Sequence, residues 1–219
     1  QFETVIVSTG QHSGLLQQTF NFFDIKPTLN FQVMTENQTL AGLTSKLIPK
    51  LTDYFLEESP DMIIIQGDTS SALCTAIAAY YTKKCLFHIE SGLRTGYKFN
   101  PYPEEMNRCL IAQLTGFHAA PTQIAKENLL KENIPENQIF VTGNPIVDTL
   151  EYMTKHEKIK ISKEFQEDTK DRVFFLVTTH RRENFGEPMQ NIRLALEKIA
   201  ETSEKFQIIF PLHPNPNVQ

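Results

Sequence analysis

Three acidic sites (four carboxylates, two of them adjacent) and two arginines fall within residues 62–108, at spacings that could move a proton on an anionic ligand. The segment reads MIIIQGDTSSALCTAIAAYYTKKCLFHIESGLRTGYKFNPYPEEMNR. Asp68 and Glu90 each follow a short apolar run, in QGDTSS and HIESG. Glu104, in PYPEEMNR, opens a helix-like segment that also holds Arg108, and Arg94 stands between the two groups. Ligands of open α/β sheets bind at the carboxyl ends of strands. Carboxylates placed there can act as acid and base, and arginines can hold phosphate or carboxylate. A second polar group, Thr179-His180-Arg181-Arg182, follows the apolar run 173–178. A histidine and arginines at a strand end suit a diphosphate.

Each group also has a plainer structural reading. Asp68, Thr69 and Ser70 are all residues that cap a helix. If Thr69 or Ser70 caps, Asp68 is left for other work. Side-chain alternation puts His88 and Glu90 on one side of their strand, where Glu90 could form an ion pair with Arg94. Glu104 and Glu105 in a first helical turn complement the helix dipole, and Glu104 faces Arg108 four residues on. That reading leaves the long loop 94–102 without a purpose, whereas a loop of that length could carry the helix start to a pocket. The charges at 180–182 could simply be solvated at a helix entry. Gly10-Gln11-His12-Ser13 lies between a strand and a helix, where amides can bind phosphate. His213 sits in the turn-rich HPNPN, and a lone histidine is more often structural.

The elements that must position these residues can be read from periodicity. Strands are expected at 4–8, 30–34, 62–66, 85–89, 116–120, 139–142, 173–178 and 208–212. Helices are expected at 12–23, 40–57, 70–83, 104–114, 123–132, 145–155 and 191–203. Alternating strands and helices predict an α/β fold, a Rossmann-like doubly wound parallel sheet with helices on both faces. The run MIIIQ is apolar without alternation, as in a strand covered on both sides. Residues 70–83 form an apolar segment that predicts a well-buried helix. The polar stretch 156–171 is the expected linker. It divides a first Rossmann-like domain, 1–160, from the start of a second, 161–219. Two strands and one helix make a poor core. We therefore expect a piece of a longer protein, with most of its second domain absent.

Composition narrows the classes. The chain has 219 residues, 40% hydrophobic and 21% charged, which is ordinary for a globular protein. Its net charge of −5 argues against a general nucleic-acid surface. No run reaches the roughly 18 apolar residues of a membrane span. Cys74, Cys85 and Cys109 show no CxxC spacing and lie beside apolar neighbours, as buried reduced thiols of a cytoplasmic protein do. No spacing fits a metal site. Neither GxxxxGK[ST] nor GxGxxG is present, and there is no GxSxG elbow.

In this order the segments resemble the non-hydrolysing UDP-N-acetylglucosamine 2-epimerases. The matching pieces are GQH at 10–12, QTL at 38–40, QGDTSSAL at 66–73 and HIESGLRTG at 88–96. They continue with NPYPEEMNR at 100–108, TGNPIVD at 142–148, THRREN at 179–184 and HPNPNV at 213–218. The resemblance implies a glycosyltransferase-B architecture, with a nucleotide sugar between two Rossmann-like domains. It implies interconversion of UDP-GlcNAc and UDP-ManNAc by anti-elimination and re-addition of UDP through 2-acetamidoglucal. It further implies a cytoplasmic homodimer serving bacterial surface polysaccharide synthesis, with no metal or other cofactor, no nucleic-acid partner and no membrane.

By the same resemblance Asp68, Glu90, Glu104 and His180 are the catalytic set. Asp68 and Glu104 would transfer protons, and Glu90 would orient the sugar or ribose. Arg108, Arg94 and Arg181 would contact the substrate. Gln11, His12, Gln38, Arg181 and His213 match an allosteric or adjacent nucleotide site. By the resemblance, the chain departs from the family in starting after the first strand and its Gly-Thr-Arg-Pro-type loop and in lacking the rest of the second domain. Thr179 stands where glycine is common, and Asn37 stands where some allosterically activated members carry arginine. The rival readings are a hydrolysing epimerase, a glycosyltransferase of the same architecture, and a non-catalytic nucleotide-sugar-binding module. The pairing of SGLRTG with PEEMNR favours the non-hydrolysing branch.

Overall fold

The structure is a computed structural model that describes residues 2–10, 13–33, 35, 38–156, 161–179 and 186–211. It divides into two compact units, Gln1–Lys158 and Ile159–Gln219.

In the first unit the described elements run β1 (Val7–Ser8), α1 (Ser13–Phe23), β2 (Leu29–Asn30), α2 (Leu40–Glu58), β3 (Met62–Gln66), α3 (Ser70–Tyr81), β4 (Cys85–Ile89), α4 (Glu104–Leu114), β5 (Phe117–Ala120), α5 (Gln123–Lys131), β6 (Ile139–Val141) and α6 (Pro145–Lys155). The strands form two parallel sheets, β1-β2 and β3-β4-β5-β6. β1 and β2 are shorter than expected, because only Val7↔Leu29 and Ser8↔Asn30 pair in register. Bonds from Phe31 N to Ser8 O (2.9 Å) and from Val33 N to Thr9 O (3.1 Å) carry the association further without regular strand. Met34, expected in β2, lies outside the described residues.

The core forms where apolar stripes meet. Leu43, Leu47, Leu51 and Phe55 recur every fourth residue along α2 and are all buried. They face a stripe of small residues on α3, of which Cys74, Ala76, Ala78 and Ala79 are at most 1% exposed. Small side chains let α3 pack closely against both α2 and α4. The expectation of a buried helix holds for that stripe but not for its end: Tyr80 and Tyr81 are exposed, and α3 stops at Tyr81 rather than at residue 83. β3 alternates, with Ile63 and Ile65 buried and Met62 and Ile64 exposed. The non-alternating sequence MIIIQ therefore does not mean burial on both faces here.

The second unit holds α7 (Lys163–Thr169), β7 (Val173–Leu176), α8 (Glu187–Glu201) and β8 (Phe206–Ile209), with β7 and β8 parallel. The stretch read as a linker thus contains α7, capped by Ser162 Oγ, which accepts from Phe165 N at 3.1 Å. Its charged face hid a short helix whose start is set by that serine. α8 begins at Glu187, earlier than expected, because Pro188 suits a first helical turn. No described side chain of this unit is buried. No helix among the described residues is long and apolar enough to cross a membrane.

Candidate functional site

The ladder between β3 and β4 runs one residue past the strand, with Gly67 N donating to Ile89 O at 3.1 Å. Helix α3 is then capped by Thr69, whose Oγ1 accepts from Ala72 N at 3.2 Å. Asp68 is released from capping, as one of the two sequence readings required. Its Oδ2 accepts from Arg108 Nε at 2.7 Å and Nη2 at 2.6 Å. Its backbone carbonyl accepts from Asn107 Nδ2 at 2.8 Å. Two consecutive residues of α4 thus clasp the end of β3, and Asp68 Oδ1 has no hydrogen-bond partner among the described residues.

Glu90 follows β4 with φ +66°, so strand alternation does not extend to it. The expected pairing of His88 and Glu90 on one side fails for that reason. Asn144 Nδ2 donates to Glu90 Oε1 at 3.2 Å, while Asn144 Oδ1 caps α6 by accepting from Ile146 N at 3.1 Å. Its partner oxygen, Oε2, lies 3.9 Å from the point where a Cβ on Gly67 would stand. The Glu90 carboxylate therefore overhangs the turn that carries Asp68. Sequence reasoning missed Asn144, although an Asn-Pro pair opening a helix marks a cap residue whose amide is free to donate elsewhere.

The two adjacent glutamates of α4 have different work. Glu105, 3% exposed, turns inward. Its Oε1 accepts from Thr95 N and Gly96 N, both at 2.9 Å, and its Oε2 accepts from Arg108 Nη1 at 3.1 Å. Burial works against its charge, but the Gly96 and Thr95 amides and the Arg108 guanidinium outweigh it and hold its carboxyl below the usual range. Arg108 thus pairs with Asp68 and Glu105, not with Glu104 as four-residue spacing suggested. Glu104 is half-buried at the helix start and makes no hydrogen bond or ion pair among the described residues. Replacing Glu105 by Gln removes the charge from two amide bonds and one ion pair. The expected loss is about 1–3 kcal/mol of stability in urea unfolding. New chymotryptic cleavage at the exposed Tyr97 and Phe99 should accompany it. An unchanged midpoint and an uncut loop would mean that Glu105 does not anchor residues 95–102.

Arg94 does not pair with Glu90. Its fork takes Glu132, Nε to Oε1 at 2.6 Å and Nη2 to Oε2 at 2.7 Å, and its Nη1 donates to Leu93 O at 2.7 Å. A depression of about 340 Å³ opens on this side, lined by Lys98, Cys109 and Lys131 among others, away from Asp68 and Glu90. Gln38 Nε2 donates to Val33 O at 2.9 Å and so braces the loop before α2. Gln11, His12, His180, Arg181 and His213 lie outside the described residues. Among the described residues no group of three or more His, Cys, Asp or Glu is placed to hold a metal. Cys74, Cys85 and Cys109 are all free thiols, and Cys74 is buried.

Beneath the carboxylates, His88 and His118 are register partners on β4 and β5, exposed by 1% and 0%. Burial, aided by the nearby His88, pushes the His118 imidazolium down to about 4. Burial lowers His88 as well. An unfolded histidine titrates near 6.5. Between about 6.5 and 4 the unfolded chain binds a proton that the folded chain refuses, so stability must fall as pH falls through that window. The fall from His118 alone is on the order of 3 kcal/mol. Glu105, held low, adds to the loss below its unfolded value of 4.5. Thermal melts from pH 7 to pH 4.5 should show a steadily dropping midpoint. A flat profile would mean that these imidazoles are not held neutral.

The chain was compared with known proteins. A family profile described as UDP-N-acetylglucosamine 2-epimerase matches residues 1–219. The UDP-N-acetylglucosamine 2-epimerase of Campylobacter jejuni is 42% identical over 222 residues, covering 96% of this chain and 57% of that relative. The crystal structure of the Neisseria meningitidis UDP-GlcNAc 2-epimerase bound to UDP-GlcNAc superposes with a TM-score of 0.87 at 37% identity, covering 95% of this chain and 57% of that one. A co-structure of S. aureus MnaA with UDP gives a TM-score of 0.90 at 35% identity, covering 99% and 56%. The chain therefore spans a little over half the length of the relatives it matches. The α/β, parallel-stranded fold is the glycosyltransferase-B-like one of these neighbours. With a profile that matches end to end and folds that superpose over nearly all of its length, this chain belongs to the UDP-N-acetylglucosamine 2-epimerase family.

Proposed function

We propose that the full-length protein containing this chain interconverts UDP-GlcNAc and UDP-ManNAc without releasing free sugar. The observation that carries this reading is the Arg108 clasp on Asp68, 2.6 Å at its shortest, at a strand end overhung by Glu90. Relatives captured with UDP-GlcNAc and with UDP support the choice of ligand.

The C2 proton of the sugar has no neighbouring carbonyl to acidify it. Elimination avoids that difficulty. A base removes the C2 proton while the C1–O bond to UDP breaks, leaving a C1=C2 double bond in 2-acetamidoglucal. In the return step the C1–O bond re-forms and a proton is delivered to the opposite face of C2. Two acid/base groups and a cationic grip on the leaving diphosphate are required. Asp68 and Glu104 are the proposed proton carriers, and Glu90 orients the sugar. Arg108 fixes the Asp68 carboxylate and stands near enough to the strand ends to meet the ligand. His180 and Arg181 supply diphosphate contacts, and Gln11, His12, Gln38 and His213 form the adjacent nucleotide site. Arg94, which spends three of its five N–H donors on Glu132 and Leu93 O, is the further proposed substrate contact. The setting is a cytoplasmic homodimer feeding polysaccharide synthesis.

The test is incubation of the full-length protein with UDP-GlcNAc in D₂O, followed by NMR. Deuterium should enter C2 as UDP-ManNAc appears. Turnover without deuterium would exclude the proton-exchange route. Accumulation of free ManNAc would place the protein with hydrolysing epimerases, and exchange-free transfer to an acceptor would make it a glycosyltransferase.

A further inference from the structure

The proton-transfer scheme gives no task to two of the most deeply buried polar side chains described in the first unit. His88 and His118 lie side by side in the centre of the sheet, and burying a polar ring costs free energy unless it is bonded. Each ring spends its bond on a turn that carries a carboxylate. His88 Nε2 lies 2.7 Å from Gly67 O, the carbonyl just before Asp68. His118 Nδ1 lies 2.9 Å from Ser91 Oγ, the side chain just after Glu90. The remaining nitrogen of the first ring, His88 Nδ1, has no hydrogen-bond partner among the described residues. A carbonyl only accepts, so His88 must carry its proton on Nε2. Its low basicity, caused by burial, keeps the ring neutral and in that single role.

From this geometry we propose that His88 is a positioning residue for Asp68, tying down the Gly67 carbonyl so that the carboxylate meets Arg108 and the substrate in one orientation. His118 does the same for the Glu90 turn through Ser91, whose amide is also fixed, to Ala119 O at 3.0 Å. Gly67 is where such a tie is needed. It has φ +74° and joins a strand to a helix whose first cap is already supplied by Thr69. Among the described residues His88 Nε2 is the hydrogen-bond partner of the Gly67 carbonyl. Small misplacements of a reacting group are costly: about 1 Å can remove on the order of 100-fold in rate.

This inference rests on the reading of Asp68 as a proton carrier, and the experiment separates the two. His88→Gln keeps an N–H near the position of Nε2, whereas His88→Asn places its amide near Nδ1, out of reach of Gly67 O. Both variants are polar and differ by one methylene, so general loss of stability affects them alike. In the full-length protein His88→Asn should lose on the order of 10- to 100-fold in kcat with KM within about threefold, and His88→Gln should recover most of the loss. With ¹⁵N-threonine labelling, the Thr69 amide resonance should move in the Asn variant and stay near its original position in the Gln variant. Equal losses of kcat in both variants, or no loss in either, would overturn the positioning role. So would a Thr69 amide that moves equally in both. If the parent protein shows no epimerisation at all, the proposed function fails, and the Thr69 resonance still decides what His88 does to the turn.

Discussion

Asp68→Asn in the full-length protein should lower kcat for UDP-GlcNAc epimerisation by about 10²- to 10⁴-fold, the range that a positioned acid/base group contributes. KM should change little, because an amide of the same shape still fills the turn. The structure explains why folding should survive. Thr69, not Asp68, caps α3. Arg108 keeps Glu105 as a partner at 3.1 Å when the aspartate charge is gone, so no buried cation is left alone. Asn107 still reaches the backbone carbonyl of residue 68. What the change removes is the ability of residue 68 to take up and return a proton. Stopped assays by NMR, paired with calorimetric binding of UDP, would separate turnover from affinity. A rate within threefold of the parent would take Asp68 out of the mechanism. Glu104→Gln is expected to behave in the same way, and it contrasts with Glu105→Gln, whose first effect is on stability.

That contrast marks the limit of what the sequence could tell. Asp68 was legible because a buried strand followed by Gly-Asp-Thr-Ser forces a choice of cap, and a threonine was at hand to take it. Helix α4 was legible to its ends, since two prolines before Glu104 and two glutamates in the first turn mark a start. Which glutamate would turn inward was not legible. Adjacent residues on a helix point about 100° apart, and the inward direction depends on where the loop 94–102 returns. Arg94 failed for a related reason. Its partner, Glu132, lies 38 residues away and meets it only because α5 packs beside the loop. The alternation argument at Glu90 assumed a strand where the backbone has already entered a left-handed turn. His118 was overlooked in the short strand FHAA. A histidine flanked by an aromatic and small apolar residues, at the height of another strand's histidine, is the pattern that would have found the buried pair. The glutamine, histidine and arginine groups at 11–12, 180–181 and 213 lie outside the described residues, so their roles rest on the sequence and its resemblance.

Gly92→Ala should be the most damaging of the conservative substitutions in the first unit, on the order of 4 kcal/mol. Gly92 has φ +91°, a conformation that costs an L residue about 1–2 kcal/mol. A Cβ there would lie 2.2 Å from Ala125 O, 2.8 Å from Ala125 C and 3.0 Å from Leu129 Cγ. The first two atoms are helix backbone and cannot swing aside. Helix α5 would have to retreat by roughly 1 Å to restore ordinary contact. Ala125 and Leu129 are 1% and 0% exposed and share a cluster with Ala112, Ala120, Ile134 and Ile139, so the retreat opens a void elsewhere. It also strains the bond from Asn128 Nδ2 to Gly92 O, now 3.0 Å. Gly96→Ala is the control: φ is +77° there too, but nothing lies within 4 Å of the new methyl. It should cost only the conformational share, about 1 kcal/mol. Urea midpoints for the two variants measure the difference directly. Equal costs would mean that α5 does not press on the turn. A large excess at Gly92 would show that the Glu90 turn is held from outside by a helix as well as from beneath by His118. The position of that carboxylate would then be fixed by packing before any ligand arrives.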